Sequence, residues 1–305
     1  MIMKSIILVI SVLISVAFLT LFEQKILSYS QSRKGPVKVG FKGMLQPFSD
    51  AIKLFSKEVT LPYLANYYIY FISPVMALGV ILTLWLIFPS SMGINEIGLG
   101  MIFIMSCLSV GVYSLLGAGW SSNSKFALLG ALRAVAQTIS YEVSFSIILL
   151  SFIVIVMSFE IESFLALYSI WLGLLAPPLM GVWFISSLAE TSRTPFDFSE
   201  GESEIVSGFN IEYSSGPFAL FFLAEYGSIL FMGAIFSFIF LGGGVESSLF
   251  LYMKMCSIFL LFIWVRSTLP RLRYDKLMDL SWVVFLPISI SYLIFFVGLT
   301  LVLTI

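Results

Sequence analysis

Long apolar stretches alternate with shorter polar segments along this chain. A helix needs about 20 predominantly apolar residues to cross a membrane, and eight stretches approach that length. They lie near residues 6–27, 69–88, 99–119, 134–157, 170–189, 218–241, 251–265 and 282–303. Lys254 interrupts the seventh stretch early, which makes it the weakest of the eight. The pattern predicts an all-α, polytopic membrane protein with about eight transmembrane helices.

Residues 44–58 follow a different pattern, with apolar side chains spaced three or four residues apart. These apolar positions are Leu45, Phe48, Ile52 and Phe55. Asp50 and Lys53 fall on the opposite side of the predicted helix. The segment is too short and too charged to cross a membrane, so we expect an amphipathic helix that lies in the membrane interface. It is either a structural helix or the border of a site that an amphiphile reaches from the bilayer.

The composition indicates a single transmembrane domain over residues 1–305. Hydrophobic residues make up 59% of the 305 positions, charged residues make up 11%, and the mean hydropathy is +1.05. These values exclude a soluble globular domain. The first apolar run follows Lys4 but lacks an Ala-x-Ala cleavage pattern, so we expect it to remain as the first helix.

The distribution of basic residues predicts the orientation in the membrane. If the polar segments alternate between the two sides, all of the 16 lysines and arginines except Lys4 and Lys254 fall on one side. The positive-inside rule assigns that side to the interior. The segments expected there, in contact with the inner aqueous phase, are 28–66, 120–133, 190–217 and 266–281. Both chain ends are then expected outside.

Several kinds of chemistry are excluded by the residue types. The chain has no histidine, and its only two cysteines, Cys107 and Cys256, lie within apolar stretches. Two thiols cannot by themselves hold an iron–sulfur cluster or a structural zinc ion. Nucleotide-binding patterns such as G-x-G-x-x-G and the P-loop are also absent. We therefore expect no metal site, no nucleic-acid partner and no redox cofactor bound by this chain.

Carboxylates are concentrated in one short stretch of this apolar sequence. The stretch contains Glu190, Asp197, Glu200, Glu202, Glu204 and Glu212. Arg193 is the only base among them. A solvated acidic loop is one interpretation. The interleaved aromatic and aliphatic residues favour the other, a loop packed against a partner and neutralised by the basic segments on the same side.

Further carboxylates are predicted within the inner half of the membrane. Glu142 lies about 13 Å along its helix from Arg133, and Glu225 lies about 10 Å into the sixth helix. Glu190 ends the fifth helix, and Glu23 lies where the first helix leaves the membrane. A single buried carboxylate is explained by pairing with a base in the structure as easily as by a functional role. Several at similar depth favour a proton or cation pathway from the inner face.

Five segments identify a family resemblance that covers residues 20 to 278. They are EQKILSYSQSRKGPVKVG, QPFSDAIKLF, AGWSSNSKFALLGALRAVAQTISYEVS, AETSRTPFDFSEGESEIVSGFNIEYSSGPFALFFLAEY and RSTLPRLRYDKLM. They resemble the chain 1 family of mitochondrial NADH:ubiquinone oxidoreductase. In respiratory complex I these membrane subunits join the hydrophilic arm to the proton-pumping arm. The resemblance implies a multi-pass protein of the mitochondrial inner membrane, made inside the organelle, with the matrix on its inner side.

The resemblance also implies roles for individual residues. Those expected to border the ubiquinone chamber or its entrance are Glu23, Arg33, Asp50, Lys53, Asp197, Glu200, Glu202, Glu204, Phe221, Phe222, Arg271 and Arg273. Those expected to form a proton pathway are Glu142, Glu190 and Glu225. Gln24 departs from the family, which commonly has arginine after this glutamate, and the departure removes one basic contact from the entrance.

The resulting expectation is a non-redox membrane subunit that couples ubiquinone reduction to proton translocation. NAD, FMN and iron–sulfur clusters would belong to hydrophilic partner subunits, and antiporter-like membrane subunits and lipid would be the other partners. One alternative is the membrane subunit of a related hydrogenase-type complex. Another is a stand-alone proton-coupled transporter, although the two halves of the sequence show no convincing inverted repeat. A purely structural membrane anchor would not explain carboxylates within the spans.

Overall fold

The structure, a computed structural model, is built from α-helices. It describes residues 2–88, 98–166, 172–199, 201, 206–242 and 248–304. The helices are α1 (Ile2–Ser30), α2 (Gln46–Ser56), α3 (Tyr67–Leu86), α4 (Gly100–Ser121), α5 (Lys125–Val156), α6 (Ile161–Ala166), α7 (Leu172–Leu175), α8 (Pro177–Glu190), α9 (Ser215–Phe240), α10 (Ser248–Thr268), α11 (Tyr274–Asp279) and α12 (Leu286–Thr304). No strand occurs within the described ranges, which confirms the all-α prediction.

Seven helical segments of the described chain are long and apolar enough to cross a membrane. They are α1, α3, α4, α5, α9, α10 and the continuous helical stretch Tyr274–Leu303, in which a π-helical turn joins α11 to α12. These seven confirm a polytopic membrane protein. They correspond to seven of the eight predicted spans.

The predicted fifth span, residues 170–189, is shorter in the structure than the apolar pattern suggested. It forms α7, of 4 residues, and α8, of 14 residues. A helix of that length covers about 21 Å, less than the hydrocarbon core of about 30 Å. Ala176 separates the two helices at φ −138°. The break is explained by the two prolines that follow it, because proline favours the first turn of a helix and disrupts its interior.

Two helices begin earlier than the sequence predicted. Helix α5 starts at Lys125 instead of residue 134, and the last helical stretch starts at Tyr274 instead of residue 282. The apolar pattern ends near charged residues, whereas a helix continues wherever its backbone hydrogen bonds continue. With 32 residues, α5 is about 48 Å long and exceeds the thickness of the hydrocarbon core. Most of the segment 120–133 is therefore helix and not loop.

Helix α2 confirms the amphipathic helix predicted for residues 44–58. It packs against α1 and α9, with Phe48 in edge-to-face contact with Phe18 of α1 at 6.2 Å. Its remaining apolar face is uncovered in this chain, since Ile52 is 69% exposed and Phe55 is 63% exposed. A short helix with an uncovered apolar face suits the membrane interface.

Helix α9 occupies the centre of the bundle. Residues from Ile229 to Phe240 are almost all buried, and α9 contacts α1, α3, α8 and α10. Next to it, aromatic side chains fill the interior: Trp183 of α8 stacks on Phe145 of α5 at 3.8 Å and meets Phe240 at 5.6 Å. Such ring contacts contribute beyond the apolar area that they bury. A carboxylate on α9 is therefore surrounded by other helices.

The four polar segments predicted for the inner side meet at one end of the bundle. The Asn66 amide donates to the Ser121 carbonyl at 2.9 Å, and the Leu272 amide donates to the Pro195 carbonyl at 3.1 Å. The Thr60 amide donates to the Ser214 hydroxyl at 2.8 Å. These bonds join segments 28–66, 120–133, 190–217 and 266–281. The assignment of this end to the inner side of the membrane stays a prediction from charge.

Lys254 stabilises the opposite end of α9. Its Nζ donates to the carbonyl oxygens of Leu241 and Gly242, at 2.7 Å each, and lies 4.7 Å from the centre of the Phe250 ring. These carbonyls follow the last turn of α9, where a cation also interacts favourably with the helix dipole.

Replacement of Lys254 by methionine should destabilise the protein. The change keeps the apolar stem but removes two charge-assisted hydrogen bonds from the end of α9, a loss of about 1–3 kcal/mol. Thermal unfolding of the detergent-solubilised protein measures it. Lys254→Arg, which retains a cation and its donors, is the matched control and should lose much less. Equal unfolding temperatures for Lys254→Met and the unsubstituted protein would exclude the capping role.

Candidate functional site

Three charged side chains from distant parts of the sequence form a buried ion cluster. Glu23 of α1 is 6% exposed and is in direct contact with Arg266 of α10. Arg193, in the turn after α8, places Nη1 at 3.9 Å from the same Glu23 oxygen. The Arg193 guanidinium also lies 4.4 Å from the centre of the Tyr226 ring on α9. The cluster thus connects three helices and the start of the acidic segment, which comprises residues 190–212.

Sequence reasoning identified only one member of this ion cluster as a site residue. Glu23 was expected at the chamber entrance, whereas Arg193 and Arg266 counted only as bases on the inner side. Glu23 and Arg266 are 243 positions apart, and no local pattern links them. Gln24, the departure from the family, is exposed beside the cluster. An arginine at that position would be on the outer surface of α1 in this conformation.

A cavity beside the ion cluster contains two of the predicted pathway carboxylates. It has a volume of about 110 Å³ and lies between α3, α4, α5, α9 and the end of α8. Glu190 and Glu225 both line it, from α8 and α9 respectively. Hydroxyl groups of Thr138, Ser192 and Ser228 belong to the same wall. A cavity of this size has room for several water molecules, which the carboxylate and hydroxyl groups in its otherwise apolar wall can bind.

Glu142 lies on α5, close to this cavity but not in its wall. It is near enough to Glu190 for the two negative charges to repel each other. The structure therefore brings the three predicted carboxylates into one region, because Glu190 shares the cavity with Glu225 and lies near Glu142. A group of carboxylates with hydroxyls and space for water can pass a proton from one side chain to the next.

The described parts of the acidic segment are packed onto the bundle. Phe196 is 3% exposed, Phe198 is 0% exposed and Phe209 is 1% exposed. Gly130 of α5 lies so close to the turn Gly208–Asn210 that a Cβ atom there would be 2.8 Å from the Gly208 backbone. These contacts contradict a freely solvated loop for residues 191–199 and 206–214. Glu200, Glu202 and Glu204 lie outside the described residues.

Tyr213 anchors the end of the acidic segment to α3 and α4. Its ring stacks on Tyr70 at 4.3 Å, with the two planes 2° apart. Its hydroxyl is hydrogen-bonded to the hydroxyl groups of Ser73 at 3.0 Å and Ser121 at 3.3 Å. Burial raises the pKa of the Tyr213 phenol above its ordinary value, although these two hydrogen bonds lower it. The phenol therefore remains a neutral donor at physiological pH.

The remaining basic site residues are in different surroundings. The guanidinium of Arg271 lies 5.2 Å from the centre of the Phe198 ring, against the acidic segment. Arg273 forms a 3.1 Å ion pair with Asp275, and both side chains are largely exposed. Arg33 bonds to the neighbouring Gln31 at the surface. Of these three arginines, Arg271 contacts the described part of the segment that carries the acids.

The predicted entrance residues are distributed around the same end of the bundle. Asp50 accepts a hydrogen bond from Gln46 at 3.0 Å within α2, and Lys53 is exposed on that helix. Asp197 is half-buried between two buried phenylalanines.

Two adjacent phenylalanines of α9 point in different directions. Phe221 is 1% exposed, lines the cavity and contacts Phe209 of the acidic segment. Phe222 packs on Phe218 at 4.5 Å and on Tyr226, on the side of α9 that faces α1. The two residues were predicted to border one entrance. The structure places them in separate surroundings, Phe221 at the cavity and Phe222 beside Tyr226, while their part in an entrance stays a prediction.

The fold and the site together define a polytopic α-helical membrane protein with carboxylates buried at one end of its bundle. A model of the NADH dehydrogenase family matches residues 3–297. The chain belongs to this family.

Close relatives cover almost the whole chain. A protein of Anopheles gambiae named NADH-ubiquinone oxidoreductase chain 1 is 58% identical over 296 residues, 97% of this chain and 94% of the relative. Relatives with the same name from Aedes aegypti and Locusta migratoria are 57% and 55% identical, over 96% and 98% of this chain and 94% and 95% of their own lengths. The similarity therefore extends through the helices, the cavity and the ion cluster.

Replacement of Glu23 by glutamine should destabilise the protein, because two cations would remain beside each other without their carboxylate. We expect a loss of roughly 3 kcal/mol, near the lower end for a broken buried pair, since Arg266 has a side chain that is 35% exposed. Thermal unfolding of the solubilised protein measures the loss. The control is Asp275→Asn, which breaks an exposed pair and should cost at most about 1 kcal/mol. Equal losses for the two variants would contradict this account of the ion cluster.

Proposed function

We propose that this chain is a membrane subunit of respiratory complex I that carries no redox centre of its own. It forms part of the ubiquinone-binding chamber and couples quinone reduction to proton translocation. The family assignment and the names of the relatives support the complex and the substrate. By the same reasoning we place the protein in the mitochondrial inner membrane, with the end that carries the acidic segment in the matrix.

The observation that carries this proposal is the cavity shared by Glu190 and Glu225. It places two carboxylates among apolar helices, with Glu142 near Glu190 and hydroxyl groups in the wall. A carboxylate in such a position costs free energy unless it is paired, hydrated or protonated. A purely structural bundle would gain nothing from three of them in one region. A proton path requires carboxylates close together.

The proposal that this chain forms part of a ubiquinone-binding chamber is supported by the surfaces around the ion cluster. Ubiquinone has a long apolar tail and a polar head, so it reaches its site from the bilayer. The uncovered apolar face of α2 and the aromatic residues Phe218 and Phe222 on α9 lie at the end of the bundle where such a molecule would enter. Arg193 and Arg271 provide positive charge next to the acidic segment.

Reduction of ubiquinone to ubiquinol consumes two electrons and two protons. In this proposal the electrons come from NADH through FMN and iron–sulfur clusters in hydrophilic partner subunits. This chain contributes the chamber wall and the carboxylates whose protonation changes with the reaction. Glu190, which shares the cavity with Glu225 and lies near Glu142, would pass those changes along the bundle toward antiporter-like membrane subunits. The relatives' names favour ubiquinone over the substrate of a hydrogenase-type complex.

Glu225→Gln and Glu142→Gln should impair proton-coupled quinone reduction more than assembly. Each change keeps the shape of the side chain but removes a group that can release a proton. For a positioned acid or base, a loss on the order of 10² in rate is expected. The measurement is ubiquinone reduction and proton translocation per assembled complex, with the amount of complex determined independently.

Glu162→Gln is the matched control for these two variants. Glu162 is exposed in the first turn of α6, which follows the end of α5 that is opposite to the acidic segment. It should leave both rates unchanged. Normal pumping by assembled complexes with Glu142→Gln and Glu225→Gln would show that the proposed proton path is wrong.

A further inference from the structure

A buried amide on α5 connects two peptide groups that lead directly into site carboxylates. Gln137 is 0% exposed, and its Nε2 donates to the carbonyl oxygens of Ala189 at 2.8 Å and Phe196 at 2.7 Å. The first carbonyl belongs to the peptide group between Ala189 and Glu190. The second belongs to the peptide group between Phe196 and Asp197. One side chain thus bonds to the backbone at both positions.

The bond pattern requires a neutral group with two donors on one nitrogen. Asparagine and glutamine amides have this property, and asparagine is one methylene shorter. The reverse orientation of the Gln137 amide would direct its oxygen at two carbonyl oxygens, so the two acceptors determine which way the amide points. Glutamate in place of Gln137 would keep the shape but, when ionised, would have no donor for either carbonyl.

Gln137 holds one side of a turn whose other side is held by the ion cluster. The turn runs from Ala189 to Phe196. Within it the Arg193 amide donates to the Leu188 carbonyl at 3.1 Å, and the Arg193 guanidinium reaches Glu23 and Tyr226. The first part of the acidic segment, from the end of α8 to Phe196, is therefore fixed to α5 on one side. On the other side it is fixed to α1 and α9.

We propose that Gln137 is a positioning residue that sets the place of Glu190 in the cavity and of Asp197 in the acidic segment. The inference rests on the proposed function, because it assigns Gln137 a part in proton transfer through Glu190. Proton transfer between carboxylates, directly or through water, requires hydrogen-bond distances, and these change when the backbone moves by an ångström. Gln137 does not itself carry the proton.

The first test compares Gln137→Met with Ser144→Ala in the assembled complex. Methionine retains the volume of Gln137 but removes both donors. Ser144 lies on the same helix, is 1% exposed and donates only to Tyr141 one turn away. We expect quinone reduction per complex to fall about tenfold for Gln137→Met, with fewer protons moved per electron. NADH oxidation by ferricyanide, which bypasses the quinone, should stay normal. Ser144→Ala should leave every rate unchanged.

The second test uses pH, which a purely structural defect would not follow in the same way. In Gln137→Glu the ionised carboxylate has no donor, whereas the protonated acid can donate one hydrogen bond to a carbonyl. The rate of Gln137→Glu relative to the unsubstituted complex should therefore rise as the pH falls from about 8 to about 6, a range in which a buried carboxyl can titrate. The relative rate of Gln137→Met should stay level over the same range.

The outcomes separate the positioning role from a structural one. If Gln137→Met lowers only the amount or the thermal stability of the complex, and the remaining complexes match Ser144→Ala in rate and pH profile, the positioning role is wrong. If Glu190→Gln leaves proton-coupled quinone reduction intact, the proposed function of Glu190 fails, whatever Gln137 does. If Glu190→Gln impairs it and Gln137→Met does not, only the positioning role fails.

Discussion

A carboxylate among apolar helices must be paired, hydrated or protonated, and this requirement organises the functional end of the bundle. Glu23 fulfils this requirement by pairing with Arg266, and Arg193 lies 3.9 Å from the same carboxylate oxygen. Glu190 and Glu225 line a cavity that is otherwise largely apolar and has room for water. The ion cluster and the cavity lie on different sides of α9, because Tyr226 faces the first and Glu225 faces the second. Adjacent residues of one helix thus serve two environments.

The central position of α9 keeps the helix in place. The stretch Ile229–Phe240 is buried by its neighbours, so the helix cannot shift without opening the core. Lys254 fixes the end of the helix that follows this stretch through the carbonyls of Leu241 and Gly242. At the other end, Tyr213 and the turn Gly208–Asn210 hold the chain that enters the helix. A rigid α9 keeps Glu225 at a constant distance from groups on neighbouring helices.

The acidic segment is held by polar bonds whose partners lie far away in the sequence. Gln137 is 52 positions from Ala189, and Tyr213 is 143 positions from Tyr70. Apolar periodicity predicted α5 and α3 as membrane helices but not which of their polar residues face this segment. The sequence offers few signals for these contacts, and Gln137 and Ser73 are two of them. Each is a polar side chain within an apolar stretch, where burial is costly unless a partner is present.

The sequence by itself determined the helical membrane architecture, the amphipathic helix α2, the polar end of the bundle and the family. Membrane insertion requires long apolar segments with satisfied backbone bonds, and that requirement is visible in composition and periodicity. Only the tertiary structure decided the partners of Glu23, the shared cavity and the two bonds of Gln137. Those features depend on which faces of distant helices meet, and side-chain packing determines this once the helices have formed.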